Sequence, residues 1–145
     1  MFVLQKIPLP PTSNKMYASV RGRLIKSIAA RKYSASLDRY AMIYFSKIEE
    51  IKKAIPKNAT VDVHCDFFFH RNRIFGLKGQ IKKIDVSNRI KQVHDSISKL
   101  IKIDDSRFSF ISARKYAIDL NMLESVAVTI KISNGFSEIK SEDKL

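Results

Sequence analysis

Apolar and polar residues follow two rhythms along the chain. Over Thr60–His70, Val61, Val63, Cys65, Phe67 and Phe69 take every second position, with Asp62, His64, Asp66 and Phe68 between them. That period of two predicts a strand with one apolar face. From Val86 onward, Val86, Ile90, Val93, Ile97 and Leu100/Ile101 recur at spacings of three and four, while Asn88, Lys91, Gln92, Asp95, Lys99 and Lys102 fall opposite. This is an amphipathic helix. The same period over roughly Ile28 to Ile55 (Tyr33, Leu37, Tyr40/Ala41, Tyr44, Ile48, Ile51) predicts another helix, capped by Ser27 and stopped by Pro56-Lys57-Asn58. Its tyrosines are core residues or base-stacking platforms, and rings at helical spacing favour the core.

The remaining elements are shorter. Phe2 to Ile7 reads as a strand ended by Pro8, Pro10 and Pro11, which cannot donate to a ladder. Tyr17–Val20 and Leu24-Ile25 flank Arg21-Gly22-Arg23, a small hairpin whose basic tip is either a phosphate contact or a solvated turn. Arg107–Tyr116 and Glu124–Ile132 read as strands joined by a turn over Asp119–Met122, hence as an antiparallel hairpin. The order predicts an α+β fold, a mixed sheet with two main helices packed largely on one face. Residues 1–132 form one domain in this reading, and 133–145 a loose polar tail.

Charge narrows the function classes. Twenty-seven Lys and Arg against 14 Asp and Glu give a net charge of +13, which points to a polyanionic partner, nucleic acid before an anionic membrane surface. No apolar run is long enough to span a membrane, and no signal peptide is evident. The single cysteine, Cys65, permits no internal disulfide, so a cytoplasmic compartment is expected. His64 and Cys65 are adjacent on a strand and point apart, which excludes them as joint zinc ligands.

Candidate chemistry gathers around the second amphipathic helix. Asp85 opens it and Asp104-Asp105-Ser106 follows it. Read by type alone, Asp85 is a helix cap and the aspartate pair a turn. The preceding stretch, Arg71 to Lys83, holds two glycines and five basic residues (Arg71, Arg73, Lys78, Lys82, Lys83) without an acid. It reads as a flexible loop, either simply solvated or steering phosphate toward the carboxylates.

The run Asp85-x-x-Asn88-x-x-Lys91-x-x-x-Asp95, followed by Asp104-Asp105, resembles the core of the RusA-type Holliday junction resolvases, in which Asp-x-Asp-Asn-x-x-Lys-x-x-x-Asp precedes Asp-Asp. Ile7-Pro8-Leu9-Pro10-Pro11-Thr12-Ser13-Asn14 is similar to that family's Pro-x-Pro-Pro-Ser-x-Asn opening, and the two motifs together cover most of the chain. The resemblance implies the same fold class and a bacterial or phage origin. It also implies hydrolysis of phosphodiesters in four-way DNA junctions with Mg²⁺, or Mn²⁺ in its place, held by Asp85 and Asp105 with Asp104 nearby. Lys91 matches the family lysine and would neutralise developing charge or hold the scissile phosphate, with Asn88 and Asp95 in support; read by type alone, it is equally an exposed helix lysine. One position departs: Ser87 stands where the family has a second aspartate. A hydroxyl is a weaker ligand for a hard cation than a carboxylate. An active nuclease, a junction binder that has lost cleavage, and a basic nucleic-acid-binding module therefore all remain open.

Helix length carries an expectation about assembly. Fifteen helical residues span roughly 22 Å, whereas one metal takes ligands at about 2.1 Å. Either the helix stops near Lys99 and the chain folds back, or Asp85 and Asp105 meet across a homodimer, whose two-fold symmetry would match that of a junction.

Overall fold

The computed structural model describes residues 1–133 together with Gly135 and Phe136. Ser133 ends a strand, and apart from Gly135 and Phe136 the rest of the predicted tail lies outside the described residues.

The fold is α+β and mixed, as the pattern predicts. Strands β1 (Phe2–Pro8), β4 (Thr60–His70), β5 (Phe108–Ile118) and β6 (Ser125–Ser133) form one sheet in the order β1-β6-β4-β5. β5 runs parallel to β4, and the other pairs are antiparallel. Strands β2 (Tyr17–Val20) and β3 (Arg23–Lys26) make a separate hairpin, turned through Arg21 and Gly22 at φ 51° and 74°.

β4 anchors the core. Val61, Val63, Cys65, Phe67 and Phe69 are all fully buried, and burying each large apolar side chain stabilises by about 1.5–3 kcal/mol. Burial also pushes the Cys65 thiol up to about 12, leaving it an unreactive core residue. The helices that cover this face are α1 (Ile28–Ile43), α2 (Phe45–Ala54) and α4 (Ser87–Ile101), with Leu37, Tyr40, Ile48, Ile51, Val93 and Ile97 in the shared core. The other face of β4 is only half-buried.

Three expectations need correction. The helix predicted over Ile28–Ile55 is two helices, because Tyr44 sits at φ −101°, ψ 22° between them. Ile43, Tyr44 and Phe45 are a β-branched and aromatic run of modest helix propensity, and Tyr44 stacks on Tyr40 with ring centroids 4.4 Å apart. The buried stripe nevertheless continues through the break. Tyr33 and Tyr40 are core residues, and Tyr40 Oη donates to Gln5 O on β1 at 2.8 Å.

The predicted hairpin of the last two strands does not form, since β4 lies between β5 and β6. The link 119–124 is long enough to cross the roughly 10 Å of two strand spacings. It is fastened over the end of β4, where His70 N donates to Glu124 Oε2 at 2.9 Å and the His70 ring bonds Met122 O at 2.7 Å.

The basic stretch before Asp85 is not an open loop. It starts with one helical turn, α3 (Arg71–Ile74), and folds back through a Phe75–Ile81 bridge. Gly79, at φ 77°, donates to Gly76 O at 2.9 Å, and Lys82 N returns to Ile74 O at 2.7 Å.

Candidate functional site

Asp85 closes the first turn of α4 from outside it. Ser87 N and Ser87 Oγ donate to Asp85 Oδ1 at 2.8 and 2.5 Å, and Asn88 Nδ2 donates to Oδ2 at 2.8 Å. The N-cap position itself is Val86, so Asp85 steadies the first turn from one residue further out, and this does not exclude a functional role, because the carboxylate remains exposed. The Ser87 hydroxyl, then the Ser87 N–H, hold the Asp85 carboxyl below the ordinary carboxylate range, with Lys115 adding to the effect. Lys115 reaches over from β5 and donates to Ile84 O at 3.1 Å.

Around Asp85 lies a cleft of about 530 Å³. Its walls carry Arg73, Lys82, Lys83 and Arg89, with Thr12 and Asn72 as neutral polar groups and Asp85 as the one carboxylate. The folded-back basic stretch delivers Lys82 and Lys83, and Lys82 Nζ is steadied on Asn72 O at 2.8 Å. Arg73 is tied to Glu124 at 2.6 Å. Arg89, on α4, is buried and donates through Nη1 to Pro10 O, which binds the proline-rich opening of the chain to α4.

The other carboxylates stand at the far end of α4. The helix does not stop near Lys99. It continues to Ile101 and ends on Lys102 in the left-handed region, φ 57°. Asp104 then caps a 3-10 turn, Asp105–Arg107, accepting from Ser106 N at 2.9 Å. Hydrogen bonds from Ser106 lower its carboxyl below the ordinary value. Asp105 is exposed on this turn. The 15 residues of α4, roughly 22 Å of helix, thus lie between Asp85 and Asp105 in the chain. Among the described residues no three His, Cys, Asp or Glu side chains gather as a metal site. Asp85, Ser87, Asp104 and Asp105 do not form one cluster within the chain.

Lys91 and Asp95 are exposed on α4. Arg71 lies over the Phe75 ring at 4.9 Å and lines a different cleft, with Gly76 and Leu77. Lys78 and the hairpin-tip residues Arg21 and Arg23 are exposed and do not line the Asp85 cleft.

Pattern reading passed over three residues. Arg89 falls at the edge of the apolar stripe of α4, between Val86 and Val93, and its charge is met there by the Pro10 carbonyl. Glu124 orients Arg73 across 51 residues of sequence, which no local motif signals. His94 is buried edge-on against Phe108, with ring centroids 5.5 Å apart, and its Nε2 has no partner among the described residues. Burial lowers the His94 pKa, opposed by Asp105 and Asp95.

Fold and cleft together define an α+β domain that presents a carboxylate inside a cationic opening. The chain belongs to the endodeoxyribonuclease RusA family, whose family model matches residues 8–133 and so takes in both the proline-rich opening and all of α4. This is a family of bacteria and phages that acts on Holliday junction DNA. A comparison with curated proteins gives no match. No helix among the described residues is long and apolar enough to cross a membrane.

Proposed function

We propose that this protein is a Mg²⁺-dependent endonuclease that nicks four-way DNA junctions in pairs, working as a homodimer. The observation that carries the reading is the cleft in which one carboxylate, Asp85, is ringed by Arg73, Lys82, Lys83 and Arg89. A bare carboxylate repels a DNA backbone, and these cations offset that repulsion and draw a phosphate toward it.

The donors at Asp85 are all oxygens (its carboxylate and the Ser87 hydroxyl), which suits a hard cation. Alone they fall short of a magnesium site. In our reading the missing carboxylate is Asp105 of the partner subunit, brought alongside when two α4 helices pack antiparallel about a two-fold axis. When bound, Mg²⁺ supplies activation of water and charge neutralisation at phosphorus. The chain's own groups do the rest: Lys82 and Lys83 bind the backbone, Arg73 orients the phosphate, and Lys91 neutralises charge that develops on it.

A second reading, junction binding without cleavage, is favoured by one feature. The Ser87 hydroxyl is already committed as a donor to Asp85. A labelled synthetic junction separates the two. Symmetric nicking that needs Mg²⁺ and stops in EDTA supports the nuclease. Tight junction binding in EDTA with no nicking in Mg²⁺ or Mn²⁺ supports the binder. No preference for the junction over duplex DNA would contradict both.

A further inference from the structure

The cleft at Asp85 shares a wall with a second cleft. This one, of about 370 Å³, runs between Pro8–Pro11 and α1, where Lys32 and Ser36 border it. Arg73 and Arg89 line both openings. The two guanidiniums lie over one ring, Phe69, at 5.3 and 5.6 Å, and Glu124 pairs with Arg73.

Arg89 is only 9% exposed, and its Nε has no hydrogen-bond partner among the described residues. A buried N–H left without an acceptor is destabilising, more so on a charged group. Burial and the nearby Arg73 also depress the Arg89 pKa. An anion between the clefts would offset the charge of the pair. Lys32 extends the line of positive charge onto α1. It is exposed and meets no carboxylate among the described residues.

We propose that the two clefts form one track for a nucleic-acid backbone. One phosphate sits beside Asp85, and the strand then passes the Arg73–Arg89 pair to place a further phosphate at Lys32. Arg89 and Lys32 are positioning residues: they hold the strand and touch no reacting atom. The ligand class is a phosphodiester backbone, held through charge and not through base identity. The proposal rests on the reading of the Asp85 cleft as the place where DNA is cut.

The test measures binding of a fluorescent four-way junction in EDTA across a salt series, using the full chain and the variants Lys32→Glu and Arg89→Gln. Each lost phosphate contact removes about 0.9 from the log–log salt slope. Lys32→Glu should lower the slope by about one with unchanged thermal melting, since Lys32 supports no packing. Arg89→Gln should lower it similarly at a temperature where melting shows the variant folded, a change that loosening Pro10 alone would not produce. Unaltered slopes in both variants, with the parent protein still binding in a salt-dependent way, overturn the track and leave the nuclease reading standing. A parent protein with neither salt-dependent binding nor cleavage overturns the reading of the cleft, and the track with it.

Discussion

At the start of α4, Asp85 stands in a cleft walled by four cations; at its end, Asp104 and Asp105 stand on an open turn. The settings differ more than the residues do. Asp85 is held by three hydrogen bonds from Ser87 and Asn88, and is surrounded by side chains from α3, the stretch behind it, and α4. Near Asp105, Arg107 is the next cation in sequence, and its guanidinium is turned to the carbonyls of Ala59 and Pro56. One end can attract a phosphate and lacks a second carboxylate. The other offers exposed carboxylates on a turn. The halves are complementary, and α4 is a spacer that keeps them apart within one chain.

The comparison breaks most directly at the carboxylates. Asp85→Asn and Asp105→Asn should each reduce nicking by about 10³-fold or more, the scale of losing a group that stabilises charge in the transition state. Junction binding should be kept or strengthened, because negative charge near phosphate is removed. Near-normal nicking by Asp105→Asn would reduce the far end of α4 to a turn.

Ser87→Asp sharpens the same contrast. It restores a second carboxylate next to Asp85 and removes the hydroxyl that holds it. Without metal the two carboxylates should repel and lower the melting temperature slightly. With Mg²⁺ the loss should be recovered and activity or metal affinity should rise, since a hard cation prefers carboxylate oxygen. A variant that Mg²⁺ neither stabilises nor activates would mean that Ser87 is itself required.

The cationic wall gives a smaller effect. Lys82→Ala with Lys83→Ala should weaken binding across all sequences and lower the salt slope by about two, one for each phosphate contact. An unchanged slope would take these residues out of the DNA path.

The smallest effect lies beneath the far end. Burial keeps His94 neutral and depresses its pKa below 6.5, so the unfolded chain takes up that proton first as pH falls. Its contribution is whole above about pH 6.5 and is lost as pH drops toward the folded value. Stability measured by denaturant titration should therefore decline from pH 7 to pH 5, and His94→Gln should flatten that decline. An identical slope in the variant would place the acid sensitivity elsewhere.

Much of this was legible in the chain. The alternation of Val61 to Phe69 locates the central strand to the residue, and the apolar stripe of α4 locates the helix, because both signals are local and strong. Strand order was not legible. β5 is an edge strand with Phe110 and Ile111 exposed, and nothing in its sequence says that it pairs parallel to β4. The motif positions of Asp85, Asn88 and Lys91 could be read along one helix. The cleft wall could not, since Arg73 depends on Glu124 and Arg89 on Pro10, contacts spanning 51 and 79 residues.

The central claim is that a working site needs the start of one α4 and the end of another. Mixing inactive Asp85→Asn with inactive Asp105→Asn subunits tests it directly. If sites are shared, each heterodimer holds one intact site and one doubly damaged site, and junction nicking should return. If every site is built within a single chain, each keeps one lesion, and a mixture that stays inactive while subunit exchange is shown to occur would contradict the account.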